Sequence, residues 1–269
     1  MPDWPRISVI TPSFNQAAYL ERTLRSVLDQ GYPNLEYIVI DGGSTDGSVD
    51  IIRRYADRLV FWVSEPDHGQ TAAINKGLQR ATGEWVAWQN SDDIYYPGAF
   101  HDLAAAATKH PQAGLIIGDT MLIDERDCPL RDIRYVKPSY KALLAEGMIL
   151  TNQSAFWHRS AHAEIGLMRE DLHCSFDYEW FLRLAQHTEG VHVDRIWGAF
   201  RLHGETKTSL QAQRFQEENR QILVGREMPA WQKKLYKLRR LALMLGHGRI
   251  GYVLRGILRH AQGKGGEMY

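Results

Sequence analysis

Within about its first 110 residues this chain repeats one pattern four times: a short β-rich run, then a segment of helical period. Residues 7–10, 35–40, 59–63 and 84–88 are compact apolar runs. Residues 17–30, 48–55, 71–80 and 97–109 carry apolar side chains at helical spacing, as Tyr19, Leu20, Leu24, Val27 and Leu28 do in the first. Four β-then-α units predict a mostly parallel α/β sheet flanked by helices, a Rossmann-like arrangement, because parallel neighbours need a crossover and a helix supplies it. After Gly114 the rhythm changes. Residues 115–117 and 121–123 read as two strands joined by a turn at Gly118-Asp119, giving an antiparallel element. Residues 139–146, 177–187 and 211–226 read as helical, 153–157 and 191–193 as extended, and two more helices follow.

In an open parallel sheet, ligands bind beyond the carboxyl ends of the strands. Those ends read Thr11-Pro12-Ser13-Phe14-Asn15, then Asp41-Gly42-Gly43-Ser44-Thr45-Asp46, then Ser64-Glu65-Pro66-Asp67-His68-Gly69, then Gln89-Asn90-Ser91-Asp92-Asp93. Taken singly, these residues are ordinary helix caps and turns. Four polar clusters on one rim call for a ligand. Asp92 and Asp93 are the most informative, since adjacent carboxylates repel unless a cation or hydrogen bonds offset the charge. Oxygen ligands of this kind suit Mg²⁺ or Mn²⁺ shared with substrate phosphates. The chain holds no GxxxxGK[ST] or GxGxxG loop to bind a diphosphate directly.

The segments RISVITPSFNQAAYLERTLRSVLDQ, IVIDGGSTDGSVDIIRRY, SEPDHGQTAAINKGLQRATGEW and NSDDIYYPGAF closely resemble the nucleotide-binding half of the family 2 inverting glycosyltransferases, which have the GT-A fold. A weaker resemblance continues through NQSAFWHRSAHAEIG, SFDYEWFLRLA and FRLHGETKT, so it covers about residues 6–210. It implies a GT-A catalytic domain over residues 1–210, with a donor half to about 110 and an acceptor half from 111, followed by helices over 211–269. The implied activity is metal-dependent, inverting transfer of a sugar from a nucleoside diphosphate sugar, UDP by default, to a hydroxyl of a glycan or lipid-linked glycan.

The resemblance also implies roles. Asp41 matches a nucleobase contact, with Thr11, Pro12 and Ser13 in the same pocket and Asn15, Ser44 and Asp67 in the donor set. Asn90-Ser91-Asp92 stands where the family has Asp-x-Asp, and the Asn is a departure. It leaves Asp92 as metal ligand, Asp93 as a supporting carboxylate and His203 to complete the shell. Asp177 matches the catalytic base, although alone it also reads as a helix cap. Asn152 and Gln153 fall where the family binds acceptor or donor sugar. From the residues alone, Trp180 suits either stacking on a sugar ring or a place in the core, Lys207 is a further sugar or acceptor candidate, and Arg201, His203 and Lys207 form a basic cluster that either meets a diphosphate or faces solvent.

Charge is balanced overall, with 32 Lys plus Arg against 32 Asp plus Glu, yet residues 229–264 hold nine Lys or Arg and no Asp or Glu. The rest of the chain therefore carries a net charge of minus nine, which disfavours nucleic acid as a partner. In the basic stretch, Trp231, Leu235, Leu238, Ala242 and Leu245, then Ile250, Val253, Leu254, Ile257 and Leu258, form apolar stripes. Such helices fit an anionic membrane surface, or else dock on the catalytic domain with their basic side solvated. With no signal peptide pattern, no spanning segment and no CxxC, the expected location is cytoplasmic, peripheral on the inner face of the membrane. Two other classes compete. A nucleotidyltransferase normally has a Gly-rich basic loop after its first strand, which TPSFNQ is not, and a non-catalytic nucleotide-sugar binder has no need of Asp92, Asp93 and Asp177 together.

Overall fold

The protein is described here by a computed structural model covering residues 4–204 and 211–262. Its first half is the predicted parallel sheet. Strands β1 (Ile7–Ser13), β2 (Leu35–Asp41), β3 (Phe61–Ser64) and β4 (Trp85–Trp88) lie in the order β3-β2-β1-β4, joined by helices α1 (Ala17–Leu28), α2 (Ser48–Arg54) and α3 (Gln70–Leu78). Side-chain alternation covers both faces. Ile38, Ile40, Val86 and Trp88 enter one core cluster and Tyr37, Val39, Trp85 and Ala87 the other, which is why these strands read as unbroken apolar runs. β1 extends three residues past the run visible in the sequence, through Pro12. Its pairing with β4 ends at Ile10, so the N–H that proline lacks falls where the strand has β2 as its only neighbour.

The second half continues the same sheet. β5 (Ile94–Tyr95) and α4 (Ala99–Lys109) lead into β6 (Ala113–Ile123) and β7 (Pro129–Ile133), then α5 (Tyr140–Glu146), a 3-10 turn (Asn152–Ser154), β8 (Ala155–His158), α6 (Arg159–Ile165), α7 (Phe176–His187) and β9 (Glu189–Arg201). The order runs on from β4 through β8, β6 and β9 to β5, with β7 beside β6. β8 is antiparallel to both β4 and β6, whereas β6 and β9 are parallel.

The expected turn at Gly118-Asp119 does not exist, because residues 113–123 form one strand. Gly118 is there because a Cβ would overlap the Trp197 ring. Asp119 is fully buried and accepts hydrogen bonds from Tyr135 N at 2.8 Å and Arg134 Nη1 at 3.0 Å, with His192 Nε2 at 2.9 Å. The antiparallel partner of β6 is instead β7.

Three helices follow: α8 (Ala212–Leu223), α9 (Ala230–Gly246) and α10 (Ile250–Ala261). Ile222 of α8 joins the main core. The basic pair docks by a narrow contact of Met244, Tyr252 and Val253 with Val136, an Arg240–Glu146 bridge at 2.7 Å, and Arg249, whose Nη2 reaches Asp119 at 3.2 Å and Asp194 at 2.6 Å. Most of the apolar stripe stays outside: Trp231, Leu235, Leu238, Ile250, Leu254, Ile257 and Leu258 are 54–65% exposed. No described helix is long and apolar enough to cross a membrane.

Gly198 of β9 packs so closely that a Cβ would overlap the carbonyl oxygen of Gln153. Gly198→Ala is expected to cost about 1–3 kcal/mol, read as an earlier urea midpoint with unchanged slope; an unchanged midpoint would contradict the packing.

Candidate active site

The rim beyond β1, β2 and β4 opens into a cavity of about 580 Å³. Of the residues singled out in the sequence, Pro12, Ser13, Asn15, Asp67, Asn90, Ser91, Asp92, Asn152, Gln153 and Asp177 line it. Two strand-end loops meet at its edge. Asn15 N donates to Ser44 Oγ at 2.8 Å and Thr45 N donates to Asn15 Oδ1 at 2.9 Å, with Asn15 held at φ 51°. Ser44 therefore ties the loops together.

Asp41 lies beneath this wall. Fully buried, it accepts from Gly43 N at 3.1 Å, Ser44 N at 2.9 Å, Ser44 Oγ at 2.5 Å and Ser64 Oγ at 2.7 Å. In this structure it shapes the turn that presents Gly42 to the cavity, where the Asp67 carboxylate packs closely on the glycine, 3.0 Å from where a Cβ would stand. Thr11 is likewise buried, sharing a 2.9 Å hydrogen bond with Tyr37 Oη.

The turn after β4 separates its two carboxylates. Asp93 is fully buried and points inward, where its oxygens accept from Gln153 Nε2 at 2.6 Å, Asn90 Nδ2 at 3.0 Å and Arg201 N at 2.9 Å. Burial, and then the neighbouring Asp92 charge, push its pKa well above the ordinary carboxylate value. The paired carboxylates therefore do not face one ion, and the expectation that Asp93 supports the metal directly gives way to a structural role.

Asp92 faces the cavity wall, and its Oδ2 lies 3.0 Å from His203 Nε2. Among the described residues no group of three or more His, Cys, Asp or Glu gathers as a metal site. One carboxylate and one imidazole fit Mg²⁺ or Mn²⁺ when substrate phosphates and water supply the remaining ligands. Arg201 does not reach toward a diphosphate as expected. Its fully buried side chain turns inward, with Nε donating to the Asp92 carbonyl at 2.6 Å and Nη1 to the Asp124 carbonyl at 2.9 Å.

Asp177 also lines this cavity, in the first turn of α7, where the helix dipole favours a carboxylate. It does not cap the helix; Ser175 is the N-cap residue. Trp180, one turn on, is fully buried against Trp157 at 5.6 Å between ring centroids, so the expected sugar contact is corrected to a core role. Lys207 lies outside the described residues.

Sequence reasoning missed Glu218 of α8. This buried carboxylate accepts from the backbone N–H of His173 at 3.0 Å and of Cys174 and Ser175 at 2.8 Å each, with Arg214 Nε at 3.0 Å. It fastens α8 to the loop that delivers Asp177, and Phe215 beside it lines the cavity. The only signal was a Glu on an amphipathic helix, and it falls outside the segments that carry the resemblance.

Comparison with known proteins agrees with this geometry. The family model "Glycosyl transferase family 2" matches residues 8–128. A glycosyltransferase of Mycobacterium tuberculosis strain H37Rv is 33% identical over 196 residues, 72% of this chain and 74% of that one. The chain belongs to glycosyltransferase family 2. It is also 45% identical over 97 residues to the Bacillus subtilis glycosyltransferase TuaG, named for teichuronic acid biosynthesis, covering 35% of this chain. The matched stretch spans about a third of the length of these relatives: 38% of TuaG and 35% of a Rickettsia felis glycosyltransferase. The fold is that of the crystal structure of Staphylococcus aureus TarS 1-349 in complex with UDP-GlcNAc, with a TM-score of 0.68 at 19% identity over 90% of this chain and 73% of that one. The mannosyltransferase PcManGT of Pyrobaculum calidifontis, in complex with GDP-Man and Mn²⁺, gives 0.60 at 20% identity over 96% and 80%. The α/β fold with C-terminal helices is thus the one the resemblance implied.

Burial pushes the Glu218 carboxyl up, but the backbone N–H groups of Ser175, His173 and Cys174, with Arg214, more than offset this and hold it below its ordinary value of 4.5. A carboxyl depressed on folding stabilises above its unfolded pKa and loses that stabilisation as pH falls through the folded one. Glu218→Gln is therefore expected to cost about 1–3 kcal/mol at pH 7, a difference that shrinks below pH 4.5. A difference independent of pH in parallel urea titrations would contradict this role.

Proposed function

We propose that the chain transfers a sugar, with inversion and assisted by a divalent metal, from a nucleoside diphosphate sugar to a hydroxyl of a glycan or lipid-linked glycan in bacterial surface-polysaccharide assembly. The observation that carries the reading is the cavity itself, which gathers Asp92 from the turn after β4 and Asp177 from the first turn of α7 in one lining. UDP is the default nucleotide, supported by the UDP-GlcNAc complex of TarS.

In this reading the diphosphate sits against the loops after β1 and β4, where Ser13, Asn15, Asn90 and Ser91 orient the donor. Asp41 acts on the nucleobase pocket through the turn it holds. Asp92 and His203 hold the metal, which when bound supplies Lewis-acid stabilisation of the leaving diphosphate; the Mn²⁺ complex of PcManGT supports that choice. The acceptor hydroxyl attacks the anomeric carbon from the Asp177 side, forming the new C–O bond as the bond to the diphosphate breaks. Its proton passes to the Asp177 carboxylate. A single displacement inverts the anomeric centre, and alignment in one cavity contributes by holding both reactants in place. Asn152 and Gln153, which line the same cavity, hold the transferred sugar in this reading.

The exposed apolar row on α9 and α10, beside Lys233, Lys234, Lys237, Arg255 and Arg259, supports peripheral binding to an anionic membrane surface. Lipid-linked acceptors would meet the protein there, on the cytoplasmic side.

Asp177→Asn is expected to lower transfer by about 10²–10⁴-fold while leaving UDP affinity within about twofold; loss of UDP affinity measured by calorimetry would remove Asp177 from the base role. The double variant Leu238→Glu/Ile257→Glu is expected to keep the wild-type melting temperature and lose flotation with phosphatidylglycerol vesicles. Undiminished flotation would refute the membrane reading.

A further inference from the structure

A second cavity, of about 310 Å³, adjoins the first and shares Asn152, Gln153, Asp177, Phe200 and Phe215 with it. Its chemistry differs. Leu122, Ile133 and Met148 make its lining partly apolar, and Ala212, Phe215 and Asn219 of α8 contribute to it as well. Two buried polar atoms of lining residues, Gln153 Oε1 and Asn219 Oδ1, have no hydrogen-bond partner, a condition that costs about 1–3 kcal/mol per group until a partner arrives. The volume falls at the lower end of the range for small-molecule sites, and suits one sugar ring with a compact apolar substituent.

We propose that this second cavity is the acceptor subsite, and that it selects a pyranoside carrying an apolar group beside the accepting sugar. The inference rests on the glycosyltransferase reading and deepens it by naming the acceptor class. Phe200 and Phe215 at the junction suit the C–H face of a sugar ring, since aromatic faces pack on flat apolar surfaces. Asn219 and Gln153 hydrogen-bond its hydroxyls, and Leu122, Ile133 and Met148 take the apolar substituent. Asp177, common to both cavities, then lies where the accepting hydroxyl meets the donor's anomeric carbon. The hydroxyl's proton goes to Asp177 and its oxygen to the donor sugar, so the balance is that of the transfer already described. Specificity would come from Leu122, Ile133 and Met148 together with Asn219 of α8, a helix that lies beyond residues 8–128 matched by the family model.

The test uses the full chain with Mg²⁺ and excess UDP. Saturation-transfer NMR is recorded with the phenyl and methyl glycosides of glucose, galactose and mannose as probes, beside a calorimetric UDP titration. At least one phenyl glycoside is expected to bind about tenfold or more tighter than its methyl counterpart, the difference expected for burying an aromatic ring. Asn219→Ala is expected to weaken that binding about fivefold, the worth of one hydrogen bond. Ala212→Trp, which fills the mouth from an exposed position, is expected to abolish it, with UDP affinity and melting temperature unchanged in both variants. Equal signals from phenyl and methyl glycosides, no signal from either, or a phenyl signal indifferent to Ala212→Trp would overturn the proposal. Failure of UDP to bind the wild-type chain would instead count against the donor reading, and the phenyl comparison decides the acceptor cavity whichever way that titration falls.

Discussion

Asp93 is the joint on which the two halves of the molecule turn. Its carboxyl sits with no exposed surface where the strand-end turn of the parallel half meets the second half, and it gathers Asn90 from its own turn, Gln153 from the 3-10 turn and the backbone of Arg201 from the end of β9. Burying a carboxyl is costly unless it is well hydrogen-bonded, and removing a partner from such a cluster typically costs about 1–3 kcal/mol. That cost fixes the position of the 3-10 turn relative to β4. The close approach of Gly198 to Gln153 locks the same contact from the other side.

The rest of the site gathers at the end of β9 and just past it. Arg201 points inward and grips the Asp92 carbonyl, and two residues later His203 comes to Asp92 Oδ2. Thr23 of α1 donates to the carbonyls of both Ser91 and Asp93, at 2.9 and 2.7 Å. The turn is thus held from two directions, and its one outward carboxylate, Asp92, is left for chemistry. Glu218 does the same for the loop leading to Asp177. In the proposed reading, each carboxylate assigned a role in the chemistry stands beside a buried one that holds its backbone in place, which is how a site achieves preorganisation.

Much of this was legible in the chain. The four parallel strands and their helices were visible because apolar runs and helical stripes report burial directly, and the strand-end polar clusters marked the rim. What the sequence hid was direction. Adjacent Asp92 and Asp93 look like a bidentate pair, yet a turn sends neighbouring side chains to opposite sides. Gly118-Asp119 resembled a turn because Gly and Asp favour turns, but the glycine makes room for the Trp197 ring and the aspartate serves a buried ion cluster that includes Arg249, 130 residues on. Trp180 looked available to a sugar because helical spacing does not say which face is buried. The contribution of α8 depends on long-range hydrogen bonds that no local pattern encodes.

The central claim is that the outward Asp92, together with His203, forms the metal end of a nucleoside diphosphate site. Its most direct measurement is calorimetric titration of the chain with UDP in Mn²⁺ and in EDTA, repeated on Asp92→Ala. The account predicts UDP binding that is at least about tenfold tighter with Mn²⁺, with that enhancement lost in the variant. Equal affinity with and without the ion, or an enhancement that survives in Asp92→Ala, would contradict it.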